Sequence, residues 1–359
     1  MPKTPDRALS RLTGWAAAAA AIPRLPALLA RDYWTSSVVE SAAGHRMTGI
    51  THGLFGARLP ASGHGAGDEM TVRSDRQPVG VDSRSLATAF PGATGSLAVF
   101  VHGLVETERS WFRGCGPGAD FGSRLADDLG VTPVHVRYNT GHHVSENGRD
   151  LAALLSRLIE AWPVPVTDVV LIGHSMGGLV ARSALYRAQE RNSPWLSRVT
   201  RLVCLGTPHS GAPLERRVAQ FVDLLGKSPV TAPLTWLLAL RSDGIQDLAH
   251  GYLHHRQWAG DPGAERPPEP VPPAGVRRLF VSATLSRTRG STWGRLFGDL
   301  LVTPVSAGEL PEEADIAWLG GMNHFGLLRD DAVYATLLGW LRDTTRPAQG
   351  HDRGRVAAG

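Results

Sequence analysis

The sequence predicts a mostly parallel α/β sheet covered by helices on both faces, with a helical insertion on its carboxyl side. Three observations predict it. Short apolar runs recur from residue 96 onward, helix-patterned stretches separate several of them, and one long apolar segment interrupts the alternation.

The runs lie at 97–101, 133–138, 169–172, 201–205, 278–283 and 315–319. Each is four to six residues long and mostly apolar, as suits a strand buried on both sides. Between them, Leu151, Leu154, Leu155, Leu158, Ile159 and Trp162 repeat at helical spacing and form one apolar face, closed by Pro163 and Pro165. Phe121, Leu125 and Leu129 make a shorter stripe that ends at Gly130, and Tyr334, Leu337, Leu338 and Leu341 make a last one. Residues 211–272 hold no strand run but much Leu, Trp and Pro. That stretch is read as a helical insertion on the carboxyl side of the sheet, where such sheets bind ligands.

Organisation follows from this pattern. Residues 1–95 are expected to form an N-terminal arm, with helices at 25–34 and within 36–59 around a Gly-rich loop at 62–68. Residues 96–345 form the α/β domain, and 346–359 a polar tail. The run of alanines after Trp15 follows Arg7 and Arg11 and superficially resembles a signal peptide, yet it is short and lacks a convincing cleavage site. The reading is cytoplasmic, with export or peripheral membrane association left open.

Composition narrows the function classes. Of 359 residues, 42% are hydrophobic and 19% charged, the balance of a globular protein. The net charge of +4 comes from scattered arginines, with Lys3 and Lys227 the only lysines. No basic stripe with interleaved aromatics appears, which argues against nucleic-acid binding. Cys115 and Cys204 have no metal spacing, and the histidine pairs 142–143 and 254–255 are adjacent rather than four apart. Neither a metal nor any other cofactor is expected.

The chemistry centres on Gly173-His174-Ser175-Met176-Gly177. A serine hydroxyl is a poor nucleophile until a base takes its proton, so the context matters more than the motif. Here a strand run precedes it and a helix pattern, GGLVARSALYRAQ, follows directly. A strand-to-helix turn this tight presents the serine side chain, and the glycines at 173, 177 and 178 admit the close approach it needs.

The turned serine needs an oxyanion hole. One donor is the Met176 N–H, and His102-Gly103-Leu104, directly after the first run, supplies the second at Leu104. A second HGL at 52–54 lacks a strand before it. His102 itself is read as bracing its loop.

In this architecture the acid and then the histidine follow the serine. His324, between the last run and the last helix, fits the base. His209, in GTPHSG after the fourth run, is read as a pocket-lining residue. Asp299 is the favoured acid, because it follows the fifth run and precedes His324. Asp247 would suit an acid placed after the fourth run.

Taken in order, VHGL, RYNTG, GHSMGG, GTPHSGAP, GDLLV and NHFGLL resemble the bacterial lipase/esterase branch of the α/β-hydrolase superfamily. Within it the chain is similar to the GPI inositol-deacylase-like hydrolases, over roughly residues 96–342. The resemblance implies an α/β-hydrolase fold, an acid at Asp299 in a D-L-L-V segment where relatives carry D-G-L-V, and a mobile lid after GTPHSGAP. Trp236 and Leu237 are the lid candidates for contacting an acyl chain. The expected activity is ester hydrolysis of a small-molecule or lipid substrate. Acyl transfer on the same triad and a non-catalytic binding protein are the alternatives. Oligomeric state and membrane contact are not legible.

Overall fold

The computed structural model describes residues 69–75, 77–116, 118–209, 243–258, 273–284, 314–322 and 324–343. Among these is an 8-stranded sheet in the order β2-β1-β4-β3-β5-β6-β7-β8. Its strands are β1 (Thr71–Ser74), β2 (Gln77–Val79), β3 (Ser96–Val101), β4 (Thr132–Arg137), β5 (Asp168–His174), β6 (Val199–Leu205), β7 (Arg277–Thr284) and β8 (Asp315–Gly320). All pairs from β4 through β8 are parallel, and β1 joins β4 and β2 antiparallel. Each of the six apolar runs is a strand. The sheet is mostly parallel, as the sequence predicts.

Side-chain alternation explains why both faces are covered. Leu97, Val99, Val101, Val169 and Leu171 point into one core, and Ala98, Phe100, Val170 and Ile172 into the other. The first core receives helices α1 (Ser83–Ala89), α3 (Val144–Ala161) and α4 (Met176–Glu190). The second receives α2 (Phe121–Leu129) and α7 (Asp331–Arg342). Leu151, Leu154, Leu155 and Leu158 of α3 are at most 1% exposed, each contributing roughly 1.5–3 kcal/mol by burial.

The helix ends are set by local chemistry. Asp120 caps α2 by accepting the Ser123 N–H at 3.0 Å, and Gly130 closes it at φ 67°. Asp330 caps α7 through the Ala332 N–H at 2.9 Å. Helix α3 has no cap of its own, since the His143 side chain makes no capping bond. Asp247 of α5 (Asp243–His250) supplies it from 103 residues away, accepting the Val144 N–H at 2.7 Å.

The sheet reaches further back than the expected boundary at residue 96. Strands β1 and β2, four and three residues long, and helix α1 belong to it. Elements this short carry no measurable periodicity, so the sequence reads as uneven there. The described part of the insertion is helical, α5 followed by α6 (His255–Trp258). The expected helices at 25–34 and 36–59, the tail at 346–359 and most of 211–272 lie outside the described residues. No described helix is long and apolar enough to cross a membrane.

Candidate functional site

Strand β5 ends at His174 and α4 begins at Met176, which leaves Ser175 alone to make the turn. Its backbone sits at φ 52° and ψ −122°. An L-residue adopts this conformation rarely, at a cost of about 1–3 kcal/mol, and it persists only where its surroundings over-determine it. They do so here. The Ser175 N–H donates to Leu205 O at 2.8 Å, and Ser175 O accepts from Thr207 Oγ1 at 3.0 Å and from the Gly178 N–H at 3.1 Å. Gly177 abuts the end of β3 so closely that a Cβ there would lie 2.2 Å from Val101 O. The strain is therefore held by strands on both sides of β5. Met176 is the first residue of α4, so its N–H has no acceptor within the helix and stands at the positive end of the helix dipole.

The turn after β3 meets this elbow directly. A Cβ on Gly103 would lie 3.1 Å from Ser175 Cβ. The turn runs through Leu104 and closes by the Glu106 N–H donating to Gly103 O at 3.3 Å, with Val105 at φ 54°. Neighbours hold it in place. The His102 Nδ1–H donates to Gly103 O at 3.0 Å, while its Nε2 faces the Tyr138 N–H at 3.4 Å. Burial lowers His102 to about 4, which keeps the ring neutral and suits that one-donor, one-acceptor arrangement. The Tyr138 hydroxyl donates to His102 O at 2.7 Å, and Thr140 Oγ1 accepts the Val105 N–H at 3.3 Å. The RYNTG segment thus braces the turn that carries Leu104.

His324 opens a 3-10 turn, His324–Leu328, shortly after β8, and is 1% exposed. Gly206, at the end of β6, faces its ring. A Cβ there would stand 2.9 Å from His324 Nδ1 and Cε1, so only glycine fits, and its φ of 61° asks for glycine as well. The His174 ring lies 4.6 Å from the His324 ring, centroid to centroid. Ser175, Met176, the Gly103–Leu104 turn and His324 therefore converge at the carboxyl ends of β3, β5, β6 and β8.

Two buried groups in this cluster were not singled out from the sequence. Glu106 Oε2 accepts from the Gly103 N–H at 2.8 Å and contacts His174 Nδ1 at 3.0 Å. Burial would raise the Glu106 carboxyl, but the His174 ring and the Gly103 N–H outweigh it and hold the group at about 2. The available signal was an acid three residues past Gly103, directly after the apolar pair Leu104-Val105.

Two of the other expected positions are described, each with its own partners. Asp247 is 0% exposed, and its carboxylate bonds the Val144 N–H and His143 Nδ1, the latter at 3.0 Å. It caps α3 and holds α5 against it. His209 is buried, with Nδ1 accepting from Arg182 Nη1 at 2.8 Å and its ring 4.1 Å from Phe280. Burial and then the Arg182 charge push it well below 6.5, so it is a neutral packing partner of α4 and β7. Asp299, Trp236 and Leu237 lie outside the described residues. Among the described residues, no three His, Cys, Asp or Glu side chains cluster as a metal site.

Residues 139–241 match a family model described as the PGAP1-like alpha/beta domain. No curated protein matches the sequence. Among solved structures, the mature lipase BlEst2 of Bacillus licheniformis is 23% identical with a TM-score of 0.47, over 68% of this chain and 91% of that one. RedJ, a thioesterase of the prodiginine biosynthetic pathway in Streptomyces coelicolor, is 19% identical with a TM-score of 0.45, over 69% and 87%. An esterase of Pyrococcus furiosus is 13% identical with a TM-score of 0.43, over 70% and 82%. The protein has the α/β-hydrolase fold, and its segment around Ser175 is similar to the PGAP1-like α/β domain.

Proposed function

We propose that the protein is a serine hydrolase that cleaves carboxylic esters, of the esterase or lipase type. The strained Ser175 turn carries this reading. A backbone at φ 52°, held by β3 and β6 and set between a helix N-terminus and the Gly103–Leu104 turn, is costly in a position with no use for its side chain.

In this reading His324 takes the Ser175 Oγ proton as the oxygen attacks an ester carbonyl. The carbonyl oxygen gains negative charge, which the Met176 and Leu104 N–H groups stabilise at the end of the α4 dipole. His324 then gives its proton to the leaving alkoxide, and an alcohol departs. Water, deprotonated by His324, releases the acyl group and restores the serine. Asp299 is assigned the role of orienting and stabilising the His324 imidazolium, on its place in the chain after β7 and before His324. An apolar acyl moiety under the insertion that carries Trp236 and Leu237 is the favoured substrate feature.

A series of p-nitrophenyl acyl esters of increasing chain length tests the reading, with wild type and Ser175→Ala side by side. Ser175→Ala is expected to lower kcat by roughly three or more orders of magnitude. Longer acyl chains are expected to give the higher kcat/KM. Activity surviving the substitution would remove Ser175 from the mechanism, and a preference for short soluble esters would remove the lipase part.

A further inference from the structure

We infer that Glu106 and His174 act together as positioning residues, holding the oxyanion turn and the His324 segment in register with Ser175. The inference rests on the ester-hydrolase reading above and adds two residues to it.

The connection is continuous and buried. Glu106 Oε2 takes the Gly103 N–H at 2.8 Å, from the turn that aims Leu104. The same oxygen faces His174 Nδ1 at 3.0 Å, and His174 Nε2 faces the His324 carbonyl at 3.3 Å. An ionised carboxylate and a carbonyl only accept hydrogen bonds, so His174 donates from both nitrogens and is an imidazolium. Glu106 and His174 side chains are 5% and 1% exposed. The edge of Trp111 covers the ring at 6.3 Å, with Phe325 at 6.4 Å. His174 immediately precedes the serine. One charge pair therefore ties together three segments brought from far apart in sequence: the turn after β3, the elbow after β5 and the turn after β8.

The charge is what distinguishes this from ordinary loop packing. Bracing the Gly103 N–H alone needs only a neutral acceptor, and ionised groups are expensive to bury. Glu106 Oε1 is buried with no hydrogen-bond partner among the described residues, so the carboxylate bonds through Oε2 alone. A cation at His174 is needed because it must donate in two directions at once, and the carboxylate is its counter-charge. Among the described residues, no hydrogen bond joins either side chain to the Ser175 hydroxyl or to the His324 ring. Their effect is carried by Gly103 and by the His324 backbone.

The test uses the full chain as wild type, Glu106→Gln, His174→Asn and the double variant. Rates on a p-nitrophenyl ester are divided by the serine that a fluorophosphonate titrates, so misfolded protein does not count. Each single variant is expected to lose about 10- to 100-fold in kcat with KM within about twofold, the signature of a misplaced catalytic group. The double variant is expected to be no slower than the worse single one, because either change breaks the same connection. Where a variant yields no titratable serine, Glu106→Asp, which keeps the charge and shortens the reach, takes its place with the same expectation. Single variants within about twofold of wild type in kcat, or losses that multiply in the double variant, would overturn the inference. So would a rise in KM at unchanged kcat. Wild type that does not label at Ser175 would instead overturn the hydrolase reading itself, and the positioning role with it.

Discussion

Glu106–His174 and Asp247–His143 are built from the same two chemical groups at the same separation, 3.0 Å from ring nitrogen to carboxylate oxygen. Their surroundings make them different devices. In the first pair both side chains are buried, and both imidazole nitrogens meet acceptors. In the second, Asp247 is buried but His143 is 13% exposed. The His143 ring stacks on Trp258 at 3.6 Å, and its Nε2 looks toward the half-exposed Asp243 at 3.8 Å. Burial of both partners makes a fixed joint among the site's loops. Burial of one makes a latch that holds α5 and α6 to the start of α3 and still responds to solvent.

The pH ranges in which the two pairs fail differ accordingly. The Glu106 carboxyl is held down to about 2 from an ordinary 4.5, so its contribution is full above 4.5 and is lost only as pH falls toward 2. His143 loses some charge preference to burial, but its bond to Asp247 and the charges of Asp247, Asp243 and Glu146 hold it above 6.5. A raised base contributes fully below 6.5 and gives way as pH climbs through its folded value. The Glu106 carboxylate gives up its contribution in strong acid, and His143 gives up its own as pH rises past its raised folded value.

Breaking the first pair is expected to cost the most. Glu106→Ala strands a buried cation at His174 and should remove about 3–5 kcal/mol from urea-unfolding stability. A loss under about 1 kcal/mol would mean that the two groups are not coupled as their geometry requires. Asp247→Ala removes the distant cap of α3 and should cost about 1–2 kcal/mol, with faster amide exchange in the first turn of that helix. The smallest effect is the titration of the latch. The stability gap between wild type and His143→Ala should be widest below pH 6.5 and narrow as pH rises through the raised folded value of His143. A gap that stays constant or widens would mean that His143 is not held protonated by its pairing with Asp247.

These differences also show what a sequence makes legible. The six core strands and the Ser175 elbow could be read because each is a local signal: an apolar run, a helical stripe, a glycine spacing around one serine. Strands β1 and β2 could not, being too short to show a period. The joint among Gly103, Glu106, His174 and His324 spans 68 residues in one link and 150 in another. No spacing rule connects such positions, and only the folded sheet brings the ends of β3, β5 and β8 together. Asp247 illustrates the reverse difficulty. Its place in the chain suited a triad acid, while its buried carboxylate caps a helix whose own N-cap residue, His143, makes no side-chain capping bond.

Ester hydrolysis at this site requires Ser175 to be an activated nucleophile at its strained turn. Incubation of the wild-type protein with a fluorophosphonate, followed by peptide mass mapping, tests that directly. One phosphonyl adduct per chain is expected, on Ser175, abolished by His324→Ala. An unmodified Ser175, or labelling that persists at the same rate without His324, would contradict it.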